Sequence, residues 1–332
     1  ESHDIGLTGR DGASLTLDVA HFGSREASKR LLLSSGTHGV EGFFGSAVQL
    51  AFMDNEVEKH IGDAGLGITL VHAINPFGFE YIRRVNEDNT DLNRNFLLED
   101  QDFTGADEAY SQFDPVLNPK EAEKGIEFFF ARASYYIARY GLPALKNALV
   151  SGQYAYPQGL FFGGHGPSRS QEILKENLPR WTDGAEKVIH IDYHTGLGKW
   201  GSYVLANADA LAPDETAFLH ATFGAEWVET LDPDGTLYEI RGALGRWCKA
   251  QLPDKDYHCM LAEFGTYPIL FVIDALRAEN RNHHWGAPNA MRSWMSKVQL
   301  KEAFAPRSRG WRNLVVQRGI QLSEQAIRGL TG

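Results

Sequence analysis

Cysteine is scarce in this chain: Cys248 and Cys259 are the only two among 332 residues. A disulfide-rich secreted framework is thereby excluded, and neither cysteine has the paired spacing of a thiolate zinc cluster. One bond between the two stays open, and so low a count makes a cytoplasmic location the default expectation. Long apolar runs are also missing. Nothing approaches the ~20 residues needed to span a bilayer, so no membrane partner is expected. Positive charge is in short supply as well. With 32 Lys and Arg against 43 Asp and Glu, the formal net charge is −11. A nucleic-acid or anionic-membrane surface would need clustered cations, so neither is expected as a partner. Internal repeats and low-complexity tracts are absent. No G-x-S-x-G occurs, which disfavours a serine hydrolase of that type.

What is present alternates between strand-like and helix-like segments, the pattern of an α/β sheet with helices on its faces. Ser14 to Phe22 alternates like a strand, and Arg30 to Ser35 is a short apolar run suited to a buried central strand. Helical spacing follows from Phe43 to Met53. Ile68 to Ala73, Lys187 to His194 and His258 to Phe264 read as further strands. The greasiest stretch, Ile126 to Ile137, is interrupted by Glu127 and Arg132 and reads as a buried helix. It lies within an inserted, lid-like segment at about 99–180, where a helical hairpin breaks at Gly141-Leu142-Pro143. The tail from Pro288 reads as two helices, with Trp311, Leu314 and Val315 on a core-facing stripe.

Four short pieces carry chemistry. In Thr37-His38-Gly39-Val40-Glu41-Gly42, His38 and Glu41 stand three residues apart where a strand gives way to a helix. An i, i+3 pair on a first turn points to one side, so both can reach one ion. In Asp192-Tyr193-His194, alternation puts Asp192 and His194 on the same strand face. His194 completes a set of two imidazoles and one carboxylate, an established catalytic zinc set that leaves the fourth position to water. A zinc-bound histidine passes its other ring proton to a carboxylate or carbonyl, which suits Asp192. His190, deeper in the strand, reads as a satisfied core histidine. Glu263, ending a strand before Phe264-Gly265-Thr266, can take a proton from water beside such a metal and hand it on.

The fourth piece runs from Arg83-Arg84 to Asp91-Leu92-Asn93-Arg94-Asn95-Phe96. Arginine suits the two-pronged grip on a carboxylate, or the stabilisation of a developing oxyanion. Arg83 reads instead as a surface residue paired with the acids of its own loop, Glu87, Asp88 and Asp91.

Taken together, H-G-V-E-G, R-R-V-N-E-D-N-T-D-L-N-R-N-F, D-Y-H-T-G-L-G and E-F-G-T resemble the zinc carboxypeptidase superfamily. The arginine spacing is similar to the aspartoacylase and succinylglutamate desuccinylase branch, and the whole string to a poorly characterised bacterial branch. The resemblance spans roughly Leu31 to Pro268. It implies one α/β domain over 1–332, with a mixed, mostly parallel central sheet flanked by helices. It implies one zinc ion on His38, Glu41 and His194, Glu263 as general base, Arg84 as oxyanion arginine, and Asn93 with Arg94 on a substrate carboxylate. Tyr238, Tyr267 and Tyr154 are candidates for the superfamily's substrate-binding tyrosine, and Arg241 for a further substrate arginine. The expected reaction is hydrolysis of an amide in a small carboxylate-bearing substrate, either a short peptide or an N-acyl amino acid. A non-catalytic zinc-binding module is the competing class, and retention of Glu263 argues against it.

Overall fold

A computed structural model describes residues 1–62, 65–121, 128–207, 211–229 and 240–332. Its centre is one eight-stranded sheet in the order β1-β2-β4-β3-β5-β8-β6-β7. The strands are β1 (Ser2–Thr8), β2 (Ser14–Gly23), β3 (Lys29–Ser35), β4 (Leu66–His72), β5 (Lys187–Gly196), β6 (Tyr203–Ala206), β7 (Val228–Glu229) and β8 (Asp256–Gly265). The middle pairs β4·β3, β3·β5 and β5·β8 are parallel, while β1·β2, β2·β4 and β6·β8 are antiparallel. The fold is therefore α/β with a mixed sheet and a parallel middle. Strands β3 and β5 are buried almost end to end, as parallel strands covered on both faces must be.

Helices cover both faces. Against one lie α1 (Gly42–Asn55), α2 (Val57–His60), α8 (Pro213–Phe223) and α12 (Arg309–Thr331), which bury Phe44, Val48, Phe52, Val57, Phe223 and Val315 on Leu31, Leu33 and Ile191. Against the other lie α3 (Pro76–Tyr81), α7 (Arg169–Trp181) and α9 (Leu244–Gln251), which meet Leu32, Val188 and Tyr257. Leu31 and Leu33 face one layer and Leu32 the other, the period of two expected of a strand. A third cluster joins α4 (Glu108–Leu117), α5 (Phe129–Tyr140), α6 (Leu142–Val150), α10 (Ile269–Trp285) and α11 (Met291–Phe304) around Phe113, Phe161, Val272 and Phe304. Val40, from the H-x-x-E turn, belongs to this cluster, so the packing of α4, α10 and α11 bears directly on the turn. Residues 99–180 divide between the two environments, with α4 to α6 in the third cluster and α7 on the sheet.

Two sequence expectations need correction, and the cysteine pairing left open is decided. Of the greasy run read as a buried helix, Ile126 and Glu127 lie outside the described residues; Phe128 caps α5 and is exposed, as are Phe130 and Tyr135, and only Phe129 and Ala133 of the helix are buried. Its apolar residues sit on both faces, and only one face meets the core. Cys248 and Cys259 are both free thiols. Arg83 is a core residue, 1% exposed, whose Nε donates to Glu279 Oε1 at 3.0 Å, with Asn89 and Asn280 accepting from Nη2. Its partner is 196 positions away, which no local pattern announces.

Candidate metal centre

The H-x-x-E segment folds as a single 3-10 turn, Gly39–Glu41, between β3 and α1. Gly36 makes the exit from β3 with φ +71°, a conformation that favours glycine. Gly39 presses on the backbone of α3, where a Cβ would stand 2.0 Å from the carbonyl carbon of Gly78. That closeness lets the Gly39 and Val40 amides donate to the carbonyls of Arg84 and Arg83 at 3.1 and 2.8 Å. Asn75 caps α3 by accepting from the Gly78 amide, and its own amide donates to the Arg84 carbonyl at 3.2 Å. Arg84 is thus pinned beside the turn by backbone bonds.

His38, Glu41 and His194 converge, all buried, with their ligand atoms within 4.8 Å of one another. His38 Nδ1 lies 2.8 Å from Glu41 Oε1, His194 Nδ1 lies 3.0 Å from Glu41 Oε2, and the two Nδ1 atoms are 3.3 Å apart. Each outer nitrogen meets its own aspartate: His38 Nε2 to Asp91 Oδ1 at 2.9 Å, and His194 Nε2 to Asp192 Oδ2 at 2.5 Å. An ionised carboxylate only accepts, so with a cation on Nδ1 the His194 ring would keep its proton on Nε2, toward Asp192, while His38 Nε2 stands between the Asp91 acceptor and the Nη2 donor of Arg84 at 2.8 Å. The inner edge of about 3.3 Å is that of a tetrahedron with ~2.0–2.1 Å metal–nitrogen bonds. Two imidazole nitrogens and a carboxylate fit a divalent cation of the zinc class.

The electrostatics agree. Burial works against the charge on Asp91, yet Arg84 and His38 hold its carboxyl well below the usual range. Glu41 is lowered in the same way by His38 and His194, again against its burial. Arg84 donates from Nε to Asp91 Oδ2 at 2.9 Å and from Nη1 to Glu41 Oε1 at 3.0 Å, with its guanidinium 5.5 Å over the Phe161 ring. Glu263 lies beside His194 in the β5·β8 register and accepts from the Leu197 amide at 2.8 Å. It is half-buried, and desolvation together with the Glu41 charge raises its pKa to about 7.

Asn93 and Arg94 follow Asp91 in a second 3-10 turn, Leu92–Arg94, both buried. Asn93 Oδ1 accepts from the Leu244 amide at 3.0 Å, and Arg94 Nη1 donates to the Asn93 carbonyl at 2.8 Å. Arg94 feels the charges of Asp91, Arg84 and Glu41, although burial is the larger influence and lowers its pKa. Arg241 turns elsewhere: it donates to the carbonyls of Asp102 and Thr104 and lies 4.7 Å over the Tyr154 ring. Tyr154 donates to the Arg94 carbonyl at 2.6 Å, and Tyr267 to Glu302 Oε1 at 2.7 Å. Tyr238 lies outside the described residues. His190 is a core residue held by Ser34 and Tyr257.

Sequence reasoning overlooks Asp91 as the partner of His38. A signal exists, because a histidine ligand calls for a carboxylate on its other nitrogen. Nothing local to His38 supplies one except Glu41, which faces the wrong nitrogen. A second group, Glu56, His60 and Glu324, also brings ligand-type atoms within 4.8 Å, at the far end of α1. There Lys59 Nζ already stands 2.6 Å from Glu56 Oε2 and supplies the countercharge.

Among solved structures the chain is similar to carboxypeptidase A of Helicoverpa armigera, with TM-score 0.47 and 12% identity over 92% of this chain and 69% of that one. It is also similar to the murein-tripeptide amidase MpaA of Escherichia coli O157, with TM-score 0.38 and 20% identity over 86% and 92%. A succinylglutamate desuccinylase of Silicibacter sp. TM1040 follows, with TM-score 0.40 and 13% identity over 90% and 63%. No curated protein matches the sequence. The family model for Protein of unknown function (DUF2817) matches residues 1–318, and the chain belongs to that family.

Proposed function

We propose that this chain is a zinc-dependent hydrolase that cleaves an amide bond in a small, carboxylate-bearing substrate. One observation carries the reading. Two histidines, each tethered by its own aspartate, aim their Nδ1 atoms at the carboxylate of Glu41, beside a half-buried glutamate on the next strand. A zinc ion bound there would supply Lewis-acid polarisation of a carbonyl and activation of a water.

The chain's own residues do the rest. His38, Glu41 and His194 would hold the ion from a turn and a strand end. Glu263 takes a proton from the attacking water and passes it to the departing amine, a task that suits a carboxylate drawn toward neutrality. Arg84 keeps a full positive charge against burial because Asp91 and Glu41 face it. In this reading its guanidinium stabilises the negative oxygen developing on the scissile carbonyl, worth ~3 kcal/mol for one well-placed donor. Arg94 supplies the positive charge and Asn93 an amide for a free carboxylate, which fixes the substrate before chemistry.

Elemental analysis of the purified protein, followed by dipeptides and N-acyl amino acids with colorimetric amine detection, tests the reading. One equivalent of zinc and amine release from one of the two substrate sets is the expected result. A protein that takes up no divalent metal at micromolar concentration would sink it.

A further inference from the structure

Behind His194, a file of buried polar groups runs along one face of the sheet. Asp192 Oδ1 and His190 Nε2 each lie 2.6 Å from Ser34 Oγ, and His190 Nδ1 lies 2.5 Å from the Tyr257 hydroxyl. The register explains the alignment: Ser34 pairs with Asp192 across β3·β5, and Val188 with Tyr257 across β5·β8. Residues two apart on a strand share a face, so His190, Asp192 and His194 stack above that pairing. Ser34, His190, Asp192, His194 and Tyr257 are each 3% exposed or less. Polar groups this deep are costly unless every one is satisfied.

With the His190 ring neutral, one arrangement of protons satisfies them all. Asp192 is an acceptor, facing hydroxyls of Ser34 and Thr37 and the Nε2–H of His194. Ser34 has one proton, which goes to Asp192, so its oxygen must accept from His190 Nε2–H. Reversing that bond would set two bare oxygens against each other at 2.6 Å. A neutral imidazole carries one N–H, so His190 Nδ1 accepts and Tyr257 donates. Cys259 Sγ, 3.5 Å from the same Nδ1, is a second and weaker neighbour. Burial lowers the His190 pKa to about 4 and keeps the ring neutral, while burial raises Tyr257 and keeps its proton.

We infer that Tyr257, His190 and Ser34 form a one-way hydrogen-bond relay that holds Asp192 in place and thereby presents His194 to the cation through Nδ1. These three are positioning residues, and the inference rests on the metal reading above. It deepens that reading by extending the centre from its ligands across the width of two further strands.

Two measurements test it on the full chain. In metal-free protein at pH 7, two-bond nitrogen–proton NMR, assigned by comparison with His190→Asn, should show His190 neutral with its proton on Nε2. A proton on Nδ1, or on both nitrogens, would overturn the relay. Zinc affinity by chelator competition should then fall about tenfold in Ser34→Ala, the low end of what lost outer partners cost. Ser34→Thr, which keeps the hydroxyl, should bind like the wild type. If Ser34→Ala does not fold, Tyr257→Phe decides: weaker zinc binding and a mixed His190 tautomer are expected, and no change in either refutes the relay. Wild-type protein that fails to bind zinc would instead count against the metal reading, while the His190 tautomer still reports on the relay separately.

Discussion

His38 and His194, 156 residues apart in sequence, face each other through their Nδ1 atoms at 3.3 Å. Each is anchored behind by a different aspartate, so two separate segments of chain decide the orientation of one pair of rings.

Replacing Asp91 with Asn tests the less obvious of the two anchors. The change removes the carboxylate charge that faces His38 Nε2, and Arg84 loses one of its two paired carboxylates. Metal affinity, measured by chelator competition, should fall about 10- to 100-fold, the range for lost outer partners of a ligating histidine. Unchanged affinity would remove Asp91 from the centre.

Glu263→Gln separates metal binding from proton transfer. Zinc content should stay at the wild-type level, since Glu263 is outside the proposed ligand set, while turnover on any accepted amide should drop about 10²- to 10⁴-fold. Near-normal turnover would show that another group moves the proton.

Arg94→Ala addresses substrate choice. The loss in kcat/KM should be larger for substrates with a free carboxylate than for their neutral amides. Equal losses on both would mean that the buried guanidinium serves only to brace the Leu92–Arg94 turn through the Asn93 carbonyl.

The Arg83–Glu279 pair lies outside the chemistry and predicts a stability effect. Glu279 also accepts from Lys297 at 2.9 Å, so removing it leaves one cation in the core and a second half-buried. Glu279→Leu should cost about 3–5 kcal/mol in urea denaturation, as expected when one partner of a buried pair is lost. Adding Arg83→Met should recover part of that loss; a double variant weaker than the single would contradict this account.

Acid sensitivity follows from one buried and one half-buried histidine. Burial lowers His72 and His190 from 6.5 to about 4 in the folded chain. As pH falls through 6.5 the unfolded chain takes up protons that the folded chain refuses, so stability is complete above that value and is lost progressively toward pH 4. Urea midpoints at pH 7.5, 6 and 5 should decline in that order. The decline should flatten in His72→Gln, and a pH-independent midpoint would contradict these depressed values.

Much of the centre is legible in the amino-acid sequence. The i, i+3 spacing of His38 and Glu41 and the i, i+2 spacing of Asp192 and His194 fix direction on a turn and on a strand, because backbone geometry repeats locally. The inner strands β3, β4, β5 and β8 are legible because they are apolar and bounded by turns. β1 is not, since its pattern is mostly exposed, and in β6 and β7 four and two residues carry too little periodicity.

What the chain alone determined is which side chains point together within a segment, and which of them carry metal-binding chemistry. Only the tertiary structure decided that Asp91 stands behind His38, that Arg84 meets Glu41, that Arg83 finds Glu279, and that Ser34 joins Asp192 to His190. Those contacts join residues 43 to 196 positions apart. They depend on strand order and on how helices pack over the sheet, which local patterns do not encode because the burial that selects them is a property of the assembled core.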